Sequence, residues 1–161
     1  MLTYSNNKRG VTKAALPAGP AANPLAAVDA ISCPTVSQCI AVGSYQDSAG
    51  SQQGVLLTWR GTTWTARKAP LPANAGINPW VSLNAVSCPA SSRCTVGGGY
   101  ENTASTPLGL VLTWSGENRT ASEAPTSASD LYAMSCPSVS RCFAVSGGSA
   151  GVGGPVLLTG P

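Results

Sequence analysis

Histidine is absent from this sequence, and charged residues make up only 9% of its 161 residues. Without imidazole, general acid–base chemistry falls on carboxylates, and zinc sites of the Cys/His type lack their histidine ligands. The net charge of +3 is too small and too dispersed to mark a nucleic-acid surface. The chain also has no apolar run of about 18 residues, so we expect no transmembrane helix and no nucleic-acid partner.

Aromatic residues are scarce as well, at 6% of the chain, which alone would fit a disordered protein. The apolar content is nevertheless 43%, and valine, leucine and isoleucine are grouped in short runs. These runs are separated by clusters rich in serine and in the 18 glycines and 13 prolines, a pattern typical of strands joined by turns. The composition therefore predicts an ordered, turn-rich β protein.

An internal repeat covers most of the chain. Residues 2–61 align with residues 57–116 without a gap, and 23 of the 60 aligned pairs are identical. A third copy follows at a shorter spacing, because Cys33 and Cys88 are 55 residues apart whereas Cys88 and Cys136 are 48 apart. The missing residues lie between units, where a connecting loop would tolerate the change in length.

Each repeat unit has the pattern of four short strands with a tight turn between the first two. The predicted first strands are Val28–Cys33, Leu83–Cys88 and Leu131–Cys136; the turns are Pro34–Gln38, Pro89–Arg93 and Pro137–Arg141; the second strands are Cys39–Tyr45, Cys94–Tyr100 and Cys142–Ser146; the third strands are Val55–Trp59, Leu110–Trp114 and Val156–Thr159; the fourth strands are Thr63–Lys68 and Arg119–Glu123. Four strands in about 50 residues, repeated in tandem, are typical of β-propeller blades. We therefore predict an all-β fold of tandem four-stranded antiparallel propeller blades, about three units in an incomplete ring.

The ends of the sequence bear on how such a ring would close. We assign residues 1–24 to the end of a preceding blade plus a linker, 25–80 to the first blade, 81–128 to the second and 129–161 to a truncated third. A third strand then occurs near both ends, and three blades fall short of the usual four to eight. We expect a piece of a longer chain with further blades; self-association of copies is the alternative.

All six cysteines fall in pairs within a shared Ser-Cys-Pro-x-x-Ser-x-Cys pattern: Cys33/Cys39, Cys88/Cys94 and Cys136/Cys142. Each pair brackets a hairpin turn, where strand ends come within the roughly 4.4–6.8 Å Cα separation of a disulfide. We predict three local disulfides, each contributing about 2.4 kcal/mol on a chain-entropy estimate. Free buried thiols and a metal site are the alternatives, although one pair supplies only two of the four ligands that zinc needs.

Disulfides imply an oxidising compartment, so we expect a secreted or cell-surface protein, although the sequence shows no export signal.

The segment Thr58-Trp59-Arg60-Gly61-Thr62-Thr63-Trp64 resembles the tail of the Asp-box, or BNR, repeat of secreted propellers. Gly61, Thr63 and Trp64 match its Ser/Thr-x-Asp-x-Gly-x-Thr-Trp pattern, whereas Trp59 stands at the Asp position and Leu57 at the Ser/Thr position. Nearly the whole chain is similar to secreted bacterial propeller repeats with a Ser-Cys-Pro turn in each blade, and distantly to photosystem II assembly-factor propellers. This resemblance implies a fold; it carries no activity by itself.

Sialidases also contain Asp-box propellers, and their activity needs an arginine cluster, a Tyr/Glu nucleophile pair and an acidic residue. This sequence shows no matching Tyr–Glu motif. Its six carboxylate side chains form no close pair at a repeated spacing: Asp29, Asp47, Asp130, Glu101, Glu117 and Glu123. The Gly97-Gly98-Gly99 run lacks the lysine of a phosphate loop and indicates tight backbone packing. We therefore assign no catalytic, metal or cofactor-binding residue.

Four tryptophans and two repeated tyrosines are the remaining candidates for ligand contact. Trp59 and Trp114 occupy one repeat position, which predicts core packing for both. At the position of Trp80 the preceding unit has Leu25, so the repeat does not keep one residue type there, and we predict that Trp80 contacts a ligand. We predict the same for Tyr45 and Tyr100, which lie at the ends of predicted second strands. The favoured hypothesis is a non-enzymatic extracellular binding or scaffold module for an unknown protein or glycan. The alternatives are a carbohydrate-binding module and part of a glycan-active enzyme whose catalytic residues lie elsewhere.

Overall fold

The computed structural model describes the backbone of residues 2–5, 8–11, 13–116, 118–125, 128–148 and 156–160, and within these the side chains of residues 10–11, 13–116, 118–125 and 128–146. All the elements in these ranges are strands, and all strand pairs are antiparallel: β1 Leu2–Ser5, β2 Lys8–Val11, β3 Ala27–Thr35, β4 Gln38–Gln46, β5 Gln52–Arg60, β6 Trp64–Lys68, β7 Ser82–Ala90, β8 Arg93–Glu101, β9 Pro107–Ser115, β10 Asn118–Glu123, β11 Ala128–Ser138, β12 Arg141–Gly148 and β13 Val156–Gly160. The predicted all-β class and the four-stranded antiparallel sheets are thus confirmed.

These strands form four sheets, and neighbours along the chain are neighbours in each sheet. The first sheet has the order β3-β4-β5-β6, and the second has the order β7-β8-β9-β10. The third sheet is β11-β12-β13, and β1 and β2 form a hairpin of their own. The hairpin pairs Leu2 with Val11 and Tyr4 with Arg9, the register that β5 and β6 use at Leu57–Ala66 and Trp59–Trp64.

The predicted turns are longer than the turns in the structure. In the first sheet β3 continues through Pro34 to Thr35, so that only Val36 and Ser37 form the turn. Proline has no backbone N–H for a strand ladder, and the chain accommodates it with a register shift between Ser32 and Thr35. The same shift occurs in β7 and β11. The sequence predicted that each of these strands ends before its proline, whereas the register shift lets the strand continue past it.

The three disulfides close these turns as predicted. Cys33–Cys39, Cys88–Cys94 and Cys136–Cys142 are bonded, with Cα atoms 4.1, 4.0 and 4.0 Å apart. Each joins the two strands of one hairpin and leaves no free cysteine. The alternatives of free thiols and of metal-bound cysteines are therefore wrong for this structure.

The main core lies between the first and second sheets. Ile40, Val42 and Leu56 of the first sheet are at most 2% exposed, and they meet Leu83 and Val86 of the second. A smaller cluster joins the second and third sheets through Leu131 and Ala144. The opposite face of the first sheet buries Ala41, Tyr45, Val55 and Leu57 under the segment that contains Ala14 and Leu16.

Glycine allows close backbone contacts between the first two strands of the first sheet and of the second sheet. A Cβ atom at Gly43 would collide with the carbonyl oxygen of Ala27, and one at Gly98 with the carbonyl oxygen of Ser82. Both glycines lie beside the β-bulge in the first strand of their sheet, where the backbones approach most closely. The expectation of tight backbone packing is confirmed at Gly98, whereas a Cβ at Gly97 or Gly99 would meet mainly side chains of the third sheet.

Candidate ligand site at Trp80

Trp80 lies at the end of a linker that runs from the first sheet to the second. This linker is bound across the end of β8 by backbone hydrogen bonds: Gly76 N donates to Glu101 O at 2.9 Å and Glu101 N donates to Pro79 O at 2.6 Å. Thr103 N also donates to Asn74 O at 2.9 Å. The linker therefore forms a short additional strand-like edge whose backbone is held against β8 and the loop that follows it.

The linker before the first sheet is bound in the same way. Ala21 N donates to Gln46 O at 3.0 Å, Gln46 N donates to Pro24 O at 2.7 Å, and Ser48 N donates to Gly19 O at 2.9 Å. Both linkers contain Asn-Pro followed by one large apolar residue, Leu25 in the first and Trp80 in the second. The Asn-Pro sequence is thus the local signal for this edge.

The residue after Asn-Pro has a left-handed backbone in both linkers. Leu25 has φ 44° and Trp80 has φ 42°, values that cost a residue with a side chain roughly 1–3 kcal/mol. The conformation is maintained because the hydrogen bond to Pro79 O precedes Trp80 and a hydrogen bond from Val81 N to Gln52 O, at 3.1 Å, follows it. As a result the side chains of Trp80 and Leu25 point outward, 56% and 65% exposed.

A groove of about 420 Å³ lies beside the Trp80 indole. Polar side chains form most of its wall: Asn78, Glu101, Asn102, Thr103 and Ser105, with Gly76 and Ile77 completing it. The Asn102 carboxamide oxygen accepts hydrogen bonds from Ala104 N at 2.9 Å and Thr106 N at 3.0 Å, which orders the loop on one side. An exposed aromatic face beside several hydroxyl, amide and carboxylate groups is suited to a ligand with both an apolar face and many hydroxyls.

A groove of different character adjoins Leu25, the counterpart of Trp80. It also measures about 420 Å³, and its lining includes Leu25, Leu16, Val28, Val55 and Leu57. This groove is therefore mainly aliphatic, whereas the groove at Trp80 is polar and has one aromatic ring. Of these two grooves, the one at the second linker combines an exposed aromatic platform with polar groups.

The prediction that Tyr45 and Tyr100 contact a ligand is wrong. Their side chains are 1% and 2% exposed, so neither ring offers a face for stacking. The Tyr100 hydroxyl donates to Asn74 Oδ1 at 2.8 Å, and burial raises the pKa of both tyrosines. Their position at strand ends suggested exposure, but the linkers cover that end of each sheet.

Trp59 and Trp114 differ in their surroundings although they occupy one repeat position. Trp114 is 7% exposed, as predicted, and its ring lies 3.8 Å beneath the Arg119 guanidinium. Trp59 is only half-buried and packs at 5.5 Å between ring centroids on Trp64. Equal core burial of the two rings was therefore a wrong prediction. The side chain of their counterpart Tyr4 lies outside the described residues.

Two carboxylates have well-defined partners. Asp47 accepts hydrogen bonds from Ala49 N and Ser51 N, both at 3.0 Å, and from Gln53 Nε2 at 2.9 Å. Burial acts to raise the pKa of Asp47, but these hydrogen bonds together lower it below its ordinary value. Asp130 lies between the second and third sheets, where burial raises its pKa despite hydrogen bonds from Ser82 and Asn84.

The prediction of ligand contact at Trp80 stays a prediction, and the sequence analysis did not predict the groove beside this exposed side chain. Glu101, Asn102, Thr103 and Ser105 come from the end of β8 and the loop after it, about 20 residues further along the chain. The available signal was the repeated Asn-Pro dipeptide, but its pairing with that loop depends on tertiary contacts. Glu117, one of the carboxylates considered from the sequence, lies outside the described residues.

Within the described ranges, no group of three or more His, Cys, Asp or Glu side chains is placed to hold a metal ion. No helix long and apolar enough to cross a membrane occurs among the residues that the structure describes. Comparisons with protein-family models, with curated proteins and with solved structures found no significant match.

Proposed function

We propose that this chain is a non-enzymatic extracellular binding module built from β-propeller blades, and that the groove at Trp80 binds a saccharide. The observation that carries the proposal is the position of Trp80: a strained backbone at φ 42° keeps its indole 56% exposed on a linker fixed at both ends. Strain of this kind persists where the surrounding structure imposes it, and it clusters at ligand sites.

The saccharide is favoured by the chemistry of the wall. Sugar rings present C–H groups on one face, which pack on an indole, and hydroxyls around their edge. Asn78, Glu101 and Thr103 supply acceptors and donors for such hydroxyls within one groove. A purely apolar partner would leave these polar groups without water or hydrogen bonds, which costs free energy.

The propeller arrangement is supported by how adjacent sheets meet. The first strand of each sheet packs against the first strand of the next, β3 against β7 and β7 against β11. Radial arrays of four-stranded sheets bring their innermost strands together in this way. The extracellular location is supported by the three disulfides, and the non-enzymatic assignment rests on the absence of histidine and of any free thiol.

Glycan-array binding followed by isothermal titration calorimetry, which does not depend on the Trp80 indole as a reporter, tests the saccharide site. We expect Trp80→Ala to weaken binding at least tenfold while the melting temperature stays within experimental error, because the ring is exposed. Leu25→Ala is the matched control, since it removes the counterpart side chain at the same backbone position of the other linker. Unchanged binding by Trp80→Ala, or the absence of any glycan ligand for the wild-type chain, would contradict the proposal.

A further inference from the structure

The first, second and third sheets are joined by a recurring hydrogen bond. Cys88 N in the second sheet donates to Ser32 Oγ of the first at 3.1 Å, and Cys136 N in the third sheet donates to Ser87 Oγ of the second at 2.9 Å. Both serines belong to the Ser-Cys-Pro turn, so each sheet offers a hydroxyl to the next. Ser135 is the third serine of this series, and its side chain is exposed.

Apolar side chains accompany this hydrogen bond at each interface. Leu83 of the second sheet is 0% exposed, and it belongs to the same buried cluster as Ile40 and Val42 of the first. Leu131 and Met134 of the third sheet lie against Gly97 of the second, since a Cβ there would be 3.0 Å from Leu131 Cβ and 3.2 Å from Met134 Cε. The first strand of each sheet therefore inserts its side chains into the preceding sheet.

The first sheet has the same inserting side chains, but they remain exposed. Val28 is the counterpart of Leu83 and Leu131, which are both 0% exposed, yet Val28 is 43% exposed. Ile31 is the counterpart of Val86, 9% exposed, yet Ile31 is 53% exposed. We call the side of the first sheet that carries Val28 and Ile31 the leading face.

The third sheet has the receiving surface, and its apolar residues are likewise exposed. Val145 is the counterpart of Val42, and it is 42% exposed where Val42 is 0% exposed. Beside it lies an open apolar depression of about 220 Å³, lined by Ala133, Met134, Ser135, Phe143, Ala144 and Val145. We call this side of the third sheet, with the Ser135 hydroxyl at its edge, the trailing face.

We propose that the trailing face binds the leading face of a second copy of this chain, in a head-to-tail interface. Val28 and Ile31 of one copy fill the depression on the other, and Ser135 Oγ accepts a hydrogen bond from Cys33 N of the second copy. The occupant follows from continuity with the two interfaces already present, which use the same positions in the same order. This inference is independent of the saccharide site at Trp80.

The segment before the first sheet fits this interface. Ala14 and Leu16 lie on the leading side of the first sheet, and their counterparts Ala69 and Leu71 belong to the core between the first and second sheets. The segment therefore lies where its counterpart lies in the interface between the first and second sheets. Because the two faces differ, the contact is heterologous and leads to a ring where the rotation closes and to an open series where it does not.

Sedimentation velocity over a range of protein concentrations tests the interface. We expect the wild-type chain to associate reversibly, and Val28→Asp, Ile31→Asp and Val145→Asp each to weaken association at least tenfold while the chain stays folded. Ile77→Asp is the control, because Ile77 is 97% exposed in the groove at Trp80. If Val145→Asp melts early, Ala133→Asp replaces it, since Ala133 is exposed on the same face.

Mixing two blocked variants distinguishes this interface from a symmetric one. Val28→Asp retains its trailing face and Val145→Asp retains its leading face, so each is monomeric alone and an equal mixture forms heterodimers. A symmetric interface built from one face alone would give no heterodimers in this mixture. A monomeric wild-type chain at all concentrations, a monomeric mixture, or loss of association in Ile77→Asp would each overturn the proposal.

Discussion

The interface between the first and second sheets and the interface between the second and third are built on the same strands but filled differently. At the first, the receiving position is Val42 and the inserted residue is Val86, both in one buried cluster. At the second, the receiving position is Gly97 and the inserted residue is Met134. A small residue on one side of the second interface is thus matched by a long, flexible one on the other, whereas the first interface has a valine on each side.

The two interfaces also differ in their polar groups, because the one between the second and third sheets contains a carboxylate where the first has a serine. Gly99 leaves room for the Asp130 carboxylate, because a Cβ at Gly99 would lie 2.9 Å from Asp130 Cγ. Ser82 Oγ and Asn84 Nδ2 donate hydrogen bonds to this carboxylate at 3.1 and 2.8 Å. The counterpart of Asp130 at the first interface is Ser82, which carries no charge. The second interface therefore depends on pH in a way that the first does not.

The largest expected effect concerns a feature that the first and second sheets share, the close contact between their first two strands. Gly43→Ala and Gly98→Ala each place a methyl group on the carbonyl oxygen of the facing strand, and backbone cannot move away without breaking the bulge. We expect each change to cost more than about 3 kcal/mol, the upper end for overpacking, measured by guanidinium chloride unfolding. Gly10→Ala, in a strand where a Cβ would meet nothing within 4 Å, is the comparison for the intrinsic cost of replacing a glycine. A mild effect at Gly43 or Gly98 would show that the bulge can relax.

The two tryptophans of one repeat position are expected to differ in their contribution to stability. We expect Trp114→Ala to reduce the free energy of unfolding by about 3–5 kcal/mol, since the ring is 7% exposed and its Nε1 donates to Gly116 O at 2.8 Å. Trp59→Ala should cost less than half of that, because Trp59 is half-buried and packs chiefly on Trp64. Urea unfolding of both variants measures the difference, and equal losses would restore the prediction of equivalent burial.

A size exchange tests whether the two interfaces are interchangeable. Gly97→Val places at the second interface the residue type that Val42 has at the first. We expect it to reduce the free energy of unfolding by about 1–3 kcal/mol, since the added methyl groups meet Leu131 and Met134. Adding Met134→Val, which reproduces Val86, should recover at least half of that loss. The melting temperatures of the two single variants and the double variant give the coupling. Additive losses would mean that volume is not exchanged between these positions.

The smallest expected effect is the pH dependence of the second interface. The pKa of Asp130 is raised by burial, so between its folded value and the ordinary value of 3.8 the native state binds more protons than the unfolded state. The contribution of Asp130 to stability therefore rises as the pH falls through that window. Asp130→Asn should abolish this contribution and leave stability at pH 7 unchanged or slightly higher.

Asp47 provides the opposite sign for comparison. Its pKa is lowered, so its hydrogen bonds contribute stability above the ordinary value of 3.8, and that contribution is lost as the pH falls through the folded value. Melting curves of Asp130→Asn and Asp47→Asn between about pH 3 and 7 should therefore deviate from the wild type in opposite directions. The same direction for both variants would refute the assignment of Asp130 to a desolvated interface.

Most of the strands could be predicted from the repeat, and so could the disulfides. Cys-x5-Cys brackets a hairpin in every unit, and a local pair needs no knowledge of distant contacts. The strand ends near Pro34 could not be predicted, because a proline normally ends a strand and only the bulge between Ser32 and Thr35 admits it. Tyr45 and Tyr100 were misassigned for a similar reason: the linkers that cover them come from another part of the chain.

The candidate site could also be predicted only in part from the sequence. Trp80 stood out because it replaces Leu25 in an otherwise matching segment, but the groove wall comes largely from the loop after β8. The left-handed backbone at Trp80 also has no signal in the residue itself, since glycine is the usual residue there. Hydrogen bonds on both sides of Trp80 impose that conformation, and they form only once the linker lies across β8.

The sequence by itself determined the periodicity, the strand order within each sheet and the pairing of the cysteines, because each depends on residues close together in the chain. The tertiary structure alone decided which counterparts differ. Val28 and Leu83 are similar residues at equivalent positions of the repeat, yet Val28 is 43% exposed and Leu83 is fully buried, because Leu83 packs against the first sheet and no described sheet packs on Val28. Which face of a sheet is covered is thus decided by the packing of neighbouring sheets, which local sequence does not encode.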